Sequence, residues 1–304
     1  MSADDRFRGC LLGLAVGDAV GTAVEFSPRG SFVPLADMVG GGPFGLAPGQ
    51  WTDDTSMALC LATSLVELRR FDLRDQMERY CRWAETGYLS STGQCFDIGR
   101  TVAAALRRYR ASGDPVAGPT DARTSGNGCI MRLAPVPMFF FPDERAAVEH
   151  SAASSRATHG SVECVEAAGL LGSILVRALA GASKQEILRG GSGSTIRAAT
   201  LASIARGDYV DKPESEIHGS GYVVECLEAA LWSFARTDSF EGAVLQAANL
   251  GDDADTTAAV CGQVAGAYYG ESAIPSRWLE RLAWVQQIRG LADQLRQARL
   301  SSSG

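Results

Sequence analysis

The chain has 304 residues, with 28 basic and 35 acidic side chains and a formal net charge of -7. Hydrophobic residues make up 46% and charged residues 21% of the sequence, which is typical of a globular protein with a sizeable core. An acidic chain without a basic cluster is a poor candidate for nucleic-acid binding, because such binding depends on neutralising phosphates with Lys and Arg.

No run of about 18 uninterrupted apolar residues predicts a membrane span, and the acidic start Met1–Asp5 is unlike a secretory signal. The eight cysteines stand singly, most of them among apolar neighbours, without a CxxC spacing. This pattern indicates buried thiols rather than disulfides or a zinc site. We expect a cytoplasmic protein, a monomer or a weak homo-oligomer, with no nucleic-acid or membrane partner.

Apolar residues recur at helical spacing along nearly the whole chain, and alternating strand patterns are rare. The apolar run Val136–Phe141 is flanked by prolines, which argues against a central strand. We predict an all-α fold of about ten helices in one compact domain over residues 1–300, with a disordered tail at 301–304. The last helix is expected to run from Pro275 to Arg299.

The first helix carries glycines at 13, 17 and 21, which lie on one face. Because a helical glycine costs about 1 kcal/mol relative to alanine, three in register predict the close approach of a second backbone. Asp18 and Glu25 are seven residues apart and therefore share a face as well. Taken alone, this pair is typical of an exposed acidic stripe.

Two acidic segments each precede a predicted helix, Trp51–Thr55 and Asn249–Thr257. Either one alone can be explained as helix capping, with Thr52 at the N-cap. If the two are adjacent in space, their carboxylates repel strongly unless a cation lies between them. Oxygen donors without His or Cys favour Mg²⁺, Mn²⁺ or Ca²⁺ over zinc. An EF-hand is excluded, because the twelfth position counted from Asp252 is Gln263.

Two further features are ambiguous. His159 is one of three histidines, and a lone histidine is more often a structural hydrogen-bonding group than a ligand-binding residue. The segment 190–194 is rich in glycine and could hold a phosphate, but it lacks the third glycine of a dinucleotide motif and a Walker lysine. We interpret it as a plain loop.

The acidic segments together resemble the ADP-ribosylglycohydrolase family. The resemblance rests on Gly17-Asp18 with Glu25, on Trp51–Thr55 and on Gly251–Thr256, with further matches at Cys95–Thr101, Gly126–Arg132 and Thr158-His159. The matches occur in order over roughly residues 5 to 270. One acidic cluster alone would be a weak signal, whereas the ordered set is specific.

The resemblance implies an all-α fold around two Mg²⁺ or Mn²⁺ ions. The implied metal ligands are Thr52, Asp53, Asp54, Asp253, Asp255 and Thr256. The implied catalytic residues are Glu25 at the rim, Asp97 near the ribose, and Asp54, with Asp54 or Asp97 helping to take a proton from water. The implied lining of the ADP-ribose cleft is Gly126, Asn127, Gly128 and His159.

The sequence departs from the family pattern at two positions. Asp252 stands where many members carry glycine, and Ala254 where some carry threonine. The extra carboxylate would add negative charge next to the metals and could alter their affinity. Neither change removes an implied ligand.

The implied activity is removal of ADP-ribose from modified proteins, with N-linked ADP-ribosyl-arginine as the preferred substrate. A metal-activated water would attack the anomeric carbon through an oxocarbenium-like state, and the guanidine would leave without a strong general acid. Two alternatives stay open. One is hydrolysis of an O-linked ADP-ribose, on serine or in O-acetyl-ADP-ribose, and the other is a non-catalytic immunity or structural protein.

Overall fold

A computed structural model describes residues 1–189 and 196–300, with the side chains of 299 and 300 excepted. Within these ranges the chain forms fourteen α-helices joined by short 3₁₀ turns and loops, without a β-strand. The all-α prediction is confirmed. The helices outnumber the expected ten because several are only six to nine residues long. The predicted loop at 190–194 and the predicted tail at 301–304 lie outside the described residues.

The helices follow one another as α1 (Ala3–Gly21), α2 (Asp53–Leu68), α3 (Leu73–Thr86), α4 (Arg100–Ser112), α5 (Pro135–Phe140), α6 (Glu144–Thr158), α7 (Val162–Ala180), α8 (Lys184–Arg189), α9 (Ala199–Arg206), α10 (Val223–Arg236), α11 (Phe240–Ala248), α12 (Ala254–Tyr269), α13 (Ser276–Arg281) and α14 (Val285–Leu300). The proline-flanked apolar run is thus mostly helical, as α5. The largest apolar core cluster takes side chains from all of these helices except α3, α4 and α6, which contribute instead to a second cluster.

Helices α1 and α12 lie antiparallel in the centre of the molecule with their backbones in contact. A Cβ atom on Gly17 would lie 2.1 Å from the carbonyl oxygen of Ala258, and one on Gly13 would lie 2.2 Å from that of Gly262. The predicted close approach is therefore confirmed. It places the end of α1 beside the start of α12, where the acidic residues lie.

The segment Ala3–Val24 is long and apolar enough to pass a length-and-composition test for a membrane span, with a mean hydropathy of 1.4. The sequence expectation missed it, because charged residues such as Asp18 interrupt the apolar run. Within the protein, 89% of this window is buried. Packing in the core therefore accounts for its apolar composition.

Glu25 lies beyond the first helix. α1 ends at Gly21 and is followed by a 3₁₀ turn, Thr22–Val24. The prediction that Asp18 and Glu25 share a helical face is therefore wrong. The prediction of an exposed acidic stripe is also wrong, because the two side chains are only 0% and 4% exposed.

The predicted single helix over 275–299 is interrupted between α13 and α14. Trp284 adopts a φ of 56°, and its ring packs edge-on against that of Trp51, with the centroids 5.6 Å apart. The backbone N–H of Ala283 donates to the carbonyl of Gly49 at 2.9 Å. The helix is therefore interrupted where this segment packs against the loop that leads to α2.

The cysteines are free thiols, and all but Cys95 are buried. This confirms the prediction that they are small core residues rather than disulfide partners. The cytoplasmic location and the oligomeric state stay predictions.

Candidate functional site

The starts of α2 and α12 converge and bring the two acidic segments into contact. The hydroxyl of Thr52 lies 3.2 Å from Asp255 Oδ2, and the hydroxyl of Thr256 lies 3.3 Å from Asp54 Oδ2. Each acidic segment therefore has one threonine whose hydroxyl contacts an aspartate of the other segment. The positive ends of both helix dipoles point toward these carboxylates and favour their negative charge.

Asp18 of α1, and not a residue of the acidic segment, caps the start of α2. Its Oδ1 accepts from the backbone N–H of Thr52 at 2.9 Å, and its Oδ2 accepts from that of Thr55 at 3.0 Å. The hydroxyls of the same threonines lie 3.0 and 2.6 Å from these oxygens. Thr52 occupies the N-cap position as predicted, with Asp53 and Asp54 in the first turn, but its own side chain makes no cap bond. Sequence reasoning did not assign Asp18 to the site, although a carboxylate inside an otherwise apolar helix was a usable signal.

Burial and mutual repulsion raise the pKa values of five site carboxyls, those of Glu25, Asp53, Asp54, Asp97 and Asp255. Burial, followed by the charges of neighbouring carboxylates, raises the pKa values of Asp53, Asp54 and Asp255 well above their ordinary value. Burial and then Asp97 raise the pKa of Glu25 to about 9, and burial and then Asp253 raise that of Asp97 to about 7. The ionised cluster is thus destabilised unless positive charge enters it.

Several buried carboxylate oxygens lack a hydrogen-bond partner, namely Asp54 Oδ1, Asp255 Oδ1 and Glu25 Oε2. One oxygen each from Glu25, Asp97 and Asp255 lie within 4.8 Å of one another. Among the described residues, no lysine or arginine forms an ion pair with these acids. Unpartnered buried oxygens of one charge fit a hard divalent cation. The donor chemistry of the site therefore agrees with a metal centre.

A cleft of about 710 Å³ opens above this cluster. Most of the predicted site residues form its wall, namely Glu25, Asp53, Asp97, Asp253, Thr256, Gly126, Asn127, Gly128 and His159. The other three, Thr52, Asp54 and Asp255, are at most 1% exposed and adjoin the wall through the threonine contacts. The structure therefore brings the predicted site residues into one region.

The segment Gly126–Gly128 forms the wall next to the acidic cluster. Asn127 Nδ2 donates to Asp253 Oδ2 at 2.9 Å, which joins this wall to the acids. The ring of His159 packs behind the glycines, since a Cβ on Gly128 would lie only 2.8 Å from its Cε1 atom. Burial and the charge of Arg132 lower the pKa of His159 to about 3, so the imidazole is neutral. His159 thus makes structural hydrogen bonds and lines the cleft as well.

The loops at the mouth of the cleft contain residues that sequence reasoning missed. Phe26, which follows Glu25, lines the cleft with its side chain 65% exposed. Its backbone N–H donates to the carbonyl of Asp252 at 2.7 Å, and the N–H of Asp252 donates to that of Ser27 at 2.9 Å. The side chain of Asp252 is exposed and is not part of the cleft wall. Asp252 therefore supports the loops at the mouth of the cleft through its backbone hydrogen bonds, not through its carboxylate.

Arg29 fastens the loop that precedes α12. Its guanidinium donates to the carbonyls of Leu250 at 3.2 Å and Glu214 at 2.7 Å, and also to that of Ile217. The sequence offered no signal for this role, because an isolated arginine in a loop is ordinarily exposed. The three bonds hold the approach to Asp253 against the loop that leads to α10.

Comparisons with known proteins agree with this geometry. Residues 1–303 match the family model described as ADP-ribosylglycohydrolase. The chain is 44% identical over 291 residues to "ADP-ribosylarginine hydrolase Tri1" of Serratia proteamaculans, covering 96% of this chain and 79% of that protein. It is 46% identical to the protein of the same name from Pseudomonas putida, covering 96% and 78%.

Two further similarities extend over nearly the whole chain. A protein of Rhodospirillum rubrum named "ADP-ribosyl-[dinitrogen reductase] glycohydrolase" is 33% identical, with 97% of this chain and 96% of that protein covered. A solved structure described as "ADP-ribosylglycohydrolase-related protein complex" superposes with a TM-score of 0.84 at 43% identity, covering 97% of this chain and 98% of that one. The sequence motifs, the fold and the similar proteins thus indicate the same family.

Proposed function

The chain belongs to the ADP-ribosylglycohydrolase family, and we propose that it hydrolyses the N-glycosidic bond between ADP-ribose and arginine side chains of modified proteins. The observation that carries the proposal is the pair of acidic helix starts at the base of one cleft. The family membership confirms that the protein is a hydrolase. Two relatives named for arginine-linked ADP-ribose favour that linkage over an O-linked one.

The residues present fit divalent cations. Thr52, Asp53, Asp54, Asp253, Asp255 and Thr256 would hold two Mg²⁺ or Mn²⁺ ions, which when bound supply positive charge that orients the ribose hydroxyls and makes a water molecule more acidic. The unpartnered oxygens of Asp54 and Asp255 are the support for this from the structure.

Asp97 is better placed than Asp54 to take the proton from the attacking water. Asp97 lines the cleft, whereas Asp54 is 0% exposed and is not part of the wall. Burial raises the pKa of Asp97 above the ordinary value in the metal-free protein, which makes this carboxylate more basic than an exposed one. Glu25 lines the cleft between the exposed Phe26 and the acidic cluster, and we infer that the protein-linked end of the substrate enters past Phe26.

The leaving group needs little help from the protein. An arginine that carries ADP-ribose is already a cation, so it departs as a neutral guanidine once the C1–N bond breaks. The work of the chain is therefore to position the ribose over the acids and to accept one proton. The complete set of acidic and hydroxyl groups argues against the non-catalytic alternative.

The substrate class is tested by offering the purified protein three substrates in parallel, with Mg²⁺ or Mn²⁺ present. These are an arginine-linked ADP-ribosyl peptide, a serine-linked one and O-acetyl-ADP-ribose. We expect ADP-ribose to be released from the arginine-linked peptide fastest. Faster release from either O-linked substrate would contradict the arginine assignment, and release from none would contradict the activity itself.

A further inference from the structure

Arg132 is a buried cation behind the cleft wall. Its side chain is 0% exposed, and its guanidinium donates to the carbonyl of Gly128 and, at 2.6 Å, to the hydroxyl of Thr158. The ring of Tyr80 lies 4.9 Å from the guanidinium carbon, and Nε has no partner. In the described part of the chain no carboxylate forms an ion pair with it. A buried charge without a counter-charge is costly, so it calls for a physical reason.

The hydrogen bonds of Thr158 connect Arg132 to His159. The Thr158 hydroxyl accepts from Arg132, and the same oxygen lies 2.8 Å from Nδ1 of His159. A hydroxyl carries a single proton, and the guanidinium can only donate, so that proton is free to point at Nδ1. A neutral imidazole that accepts at Nδ1 carries its own proton on Nε2. The neighbouring positive charge also disfavours a second proton on the ring.

The Nε2 edge of His159 faces the glycines of the wall. Cβ atoms added at Gly126 and Gly128 would lie 3.4 and 3.2 Å from Nε2. His159 is only 2% exposed, but no side chain of these two glycines stands between that edge and the cleft. The ring belongs to the cleft lining, and no hydrogen-bond acceptor for Nε2 occurs among residues 1–189 and 196–300. The N–H is therefore available to a bound ligand.

We propose that Arg132 and Thr158 are positioning residues that hold His159 in its neutral Nε2–H form, so that the wall presents a fixed donor to an acceptor oxygen of bound ADP-ribose. The identity of the ligand rests on the proposed function. The position of the ring proton does not, since it is a property of the free protein.

The ring proton is read from long-range ¹⁵N–¹H NMR correlations of the free protein at neutral pH. The His159 signals are assigned by their disappearance in His159→Gln, against those of His150 and His218. We expect a protonated nitrogen at Nε2 and an unprotonated one at Nδ1. A proton on Nδ1 alone, or a doubly protonated ring, would overturn the proposal.

Variants of the connecting hydroxyl separate positioning from general folding. Thr158→Val removes the hydroxyl at nearly constant shape and is expected to shift the proton toward Nδ1, whereas Thr158→Ser should keep the Nε2–H signature. Ser155→Ala is the matched control, because Ser155 donates to the backbone carbonyl of His159 and not to its ring. An unchanged tautomer in Thr158→Val would contradict the role of Thr158.

Calorimetric titration with ADP-ribose tests the ligand contact. Thr158→Val is expected to bind about tenfold more weakly than the wild type, the effect of losing one hydrogen bond, with Thr158→Ser restoring the affinity. Unchanged affinity in a variant whose tautomer has shifted would overturn the contact. If the wild type bound ADP-ribose with the expected tautomer but released none from modified arginine, only the proposed function would fail.

Discussion

The cleft joins an acidic end, where the starts of α2 and α12 meet, to the glycine wall at Gly126–Gly128 and His159. At the acidic end, buried oxygens of one charge lack partners and the pKa values are raised, so this end is incomplete by itself. The glycine wall is backed by a buried cation and a neutral imidazole whose Nδ1 has a partner. In the proposed function, the acidic end would therefore need added cations, whereas the glycine wall already presents a fixed surface to a ligand.

The largest expected effect comes from neutralising an acid of the acidic end. We expect Asp253→Asn and Asp54→Asn each to lower the rate of ADP-ribosyl-arginine hydrolysis about 1000-fold, since several kcal/mol of charge stabilisation depend on the ions held there. Asp252→Asn is the matched control, because it neutralises the adjacent acid outside the wall. Equal activity of Asp253→Asn and Asp252→Asn would refute the metal assignment.

A smaller effect is expected at Asp18, which touches the start of α2 without belonging to the implied ligand set. Asp18→Asn keeps the size of the side chain but weakens its four contacts with Thr52 and Thr55. We expect a 10- to 100-fold higher Mg²⁺ or Mn²⁺ concentration for half-maximal activity, about the effect of losing an outer-shell partner. An unchanged metal requirement would show that Asp18 serves the fold alone.

We expect a substitution in the glycine wall to weaken ADP-ribose binding without changing the metal concentration that activity requires. Gly128→Ala places a Cβ 2.8 Å from His159 Cε1 and must displace the ring. We expect ADP-ribose affinity to fall about tenfold, the cost of modest overpacking. Gly290→Ala in α14, where a Cβ meets only the end of Gln294 at 4.0 Å, should leave affinity unchanged. A changed metal requirement in Gly128→Ala would mean that the two ends are not separable.

The smallest expected effect is a pH dependence confined to the metal-free protein. The folded state holds a proton on Glu25 up to a pH of about 9, whereas the unfolded carboxyl ionises near 4.5. The folded state therefore binds more protons, and stability falls as the pH rises from 7 to 9. Thermal unfolding with EDTA should show this fall, and Glu25→Gln or added Mg²⁺ should reduce it. A stability that rises over this interval would contradict the assignment.

The sequence predicted the acidic end from local patterns, whereas the wall residues followed only from the family resemblance. Trp51–Thr55 and Gly251–Thr256 are contiguous segments at helix starts, and their ordered occurrence indicated the family before any geometry was known. The glycine spacing in α1 likewise predicted a backbone contact, which α12 supplies. Such features depend on residues that are close in the chain, so they can be recognised without the fold.

The roles that sequence reasoning missed depend on contacts between distant segments. Asp18 caps a helix that begins 35 residues later, and Arg29 holds carbonyls more than 180 residues away. The connection from Arg132 through Thr158 spans three helix or turn boundaries and leaves no local spacing to detect. The interruption at Trp284 has the same origin, since its cause is the ring of Trp51.

We propose that the two acidic helix starts form one cation-dependent site for hydrolysis of ADP-ribosyl-arginine. The most direct measurement is the rate of ADP-ribose release from an arginine-linked peptide by metal-stripped protein, as Mg²⁺ or Mn²⁺ is added back. We expect almost no release without metal and recovery to the full rate when Mg²⁺ or Mn²⁺ is added. Full activity of the stripped protein, with no response to either ion, would contradict it.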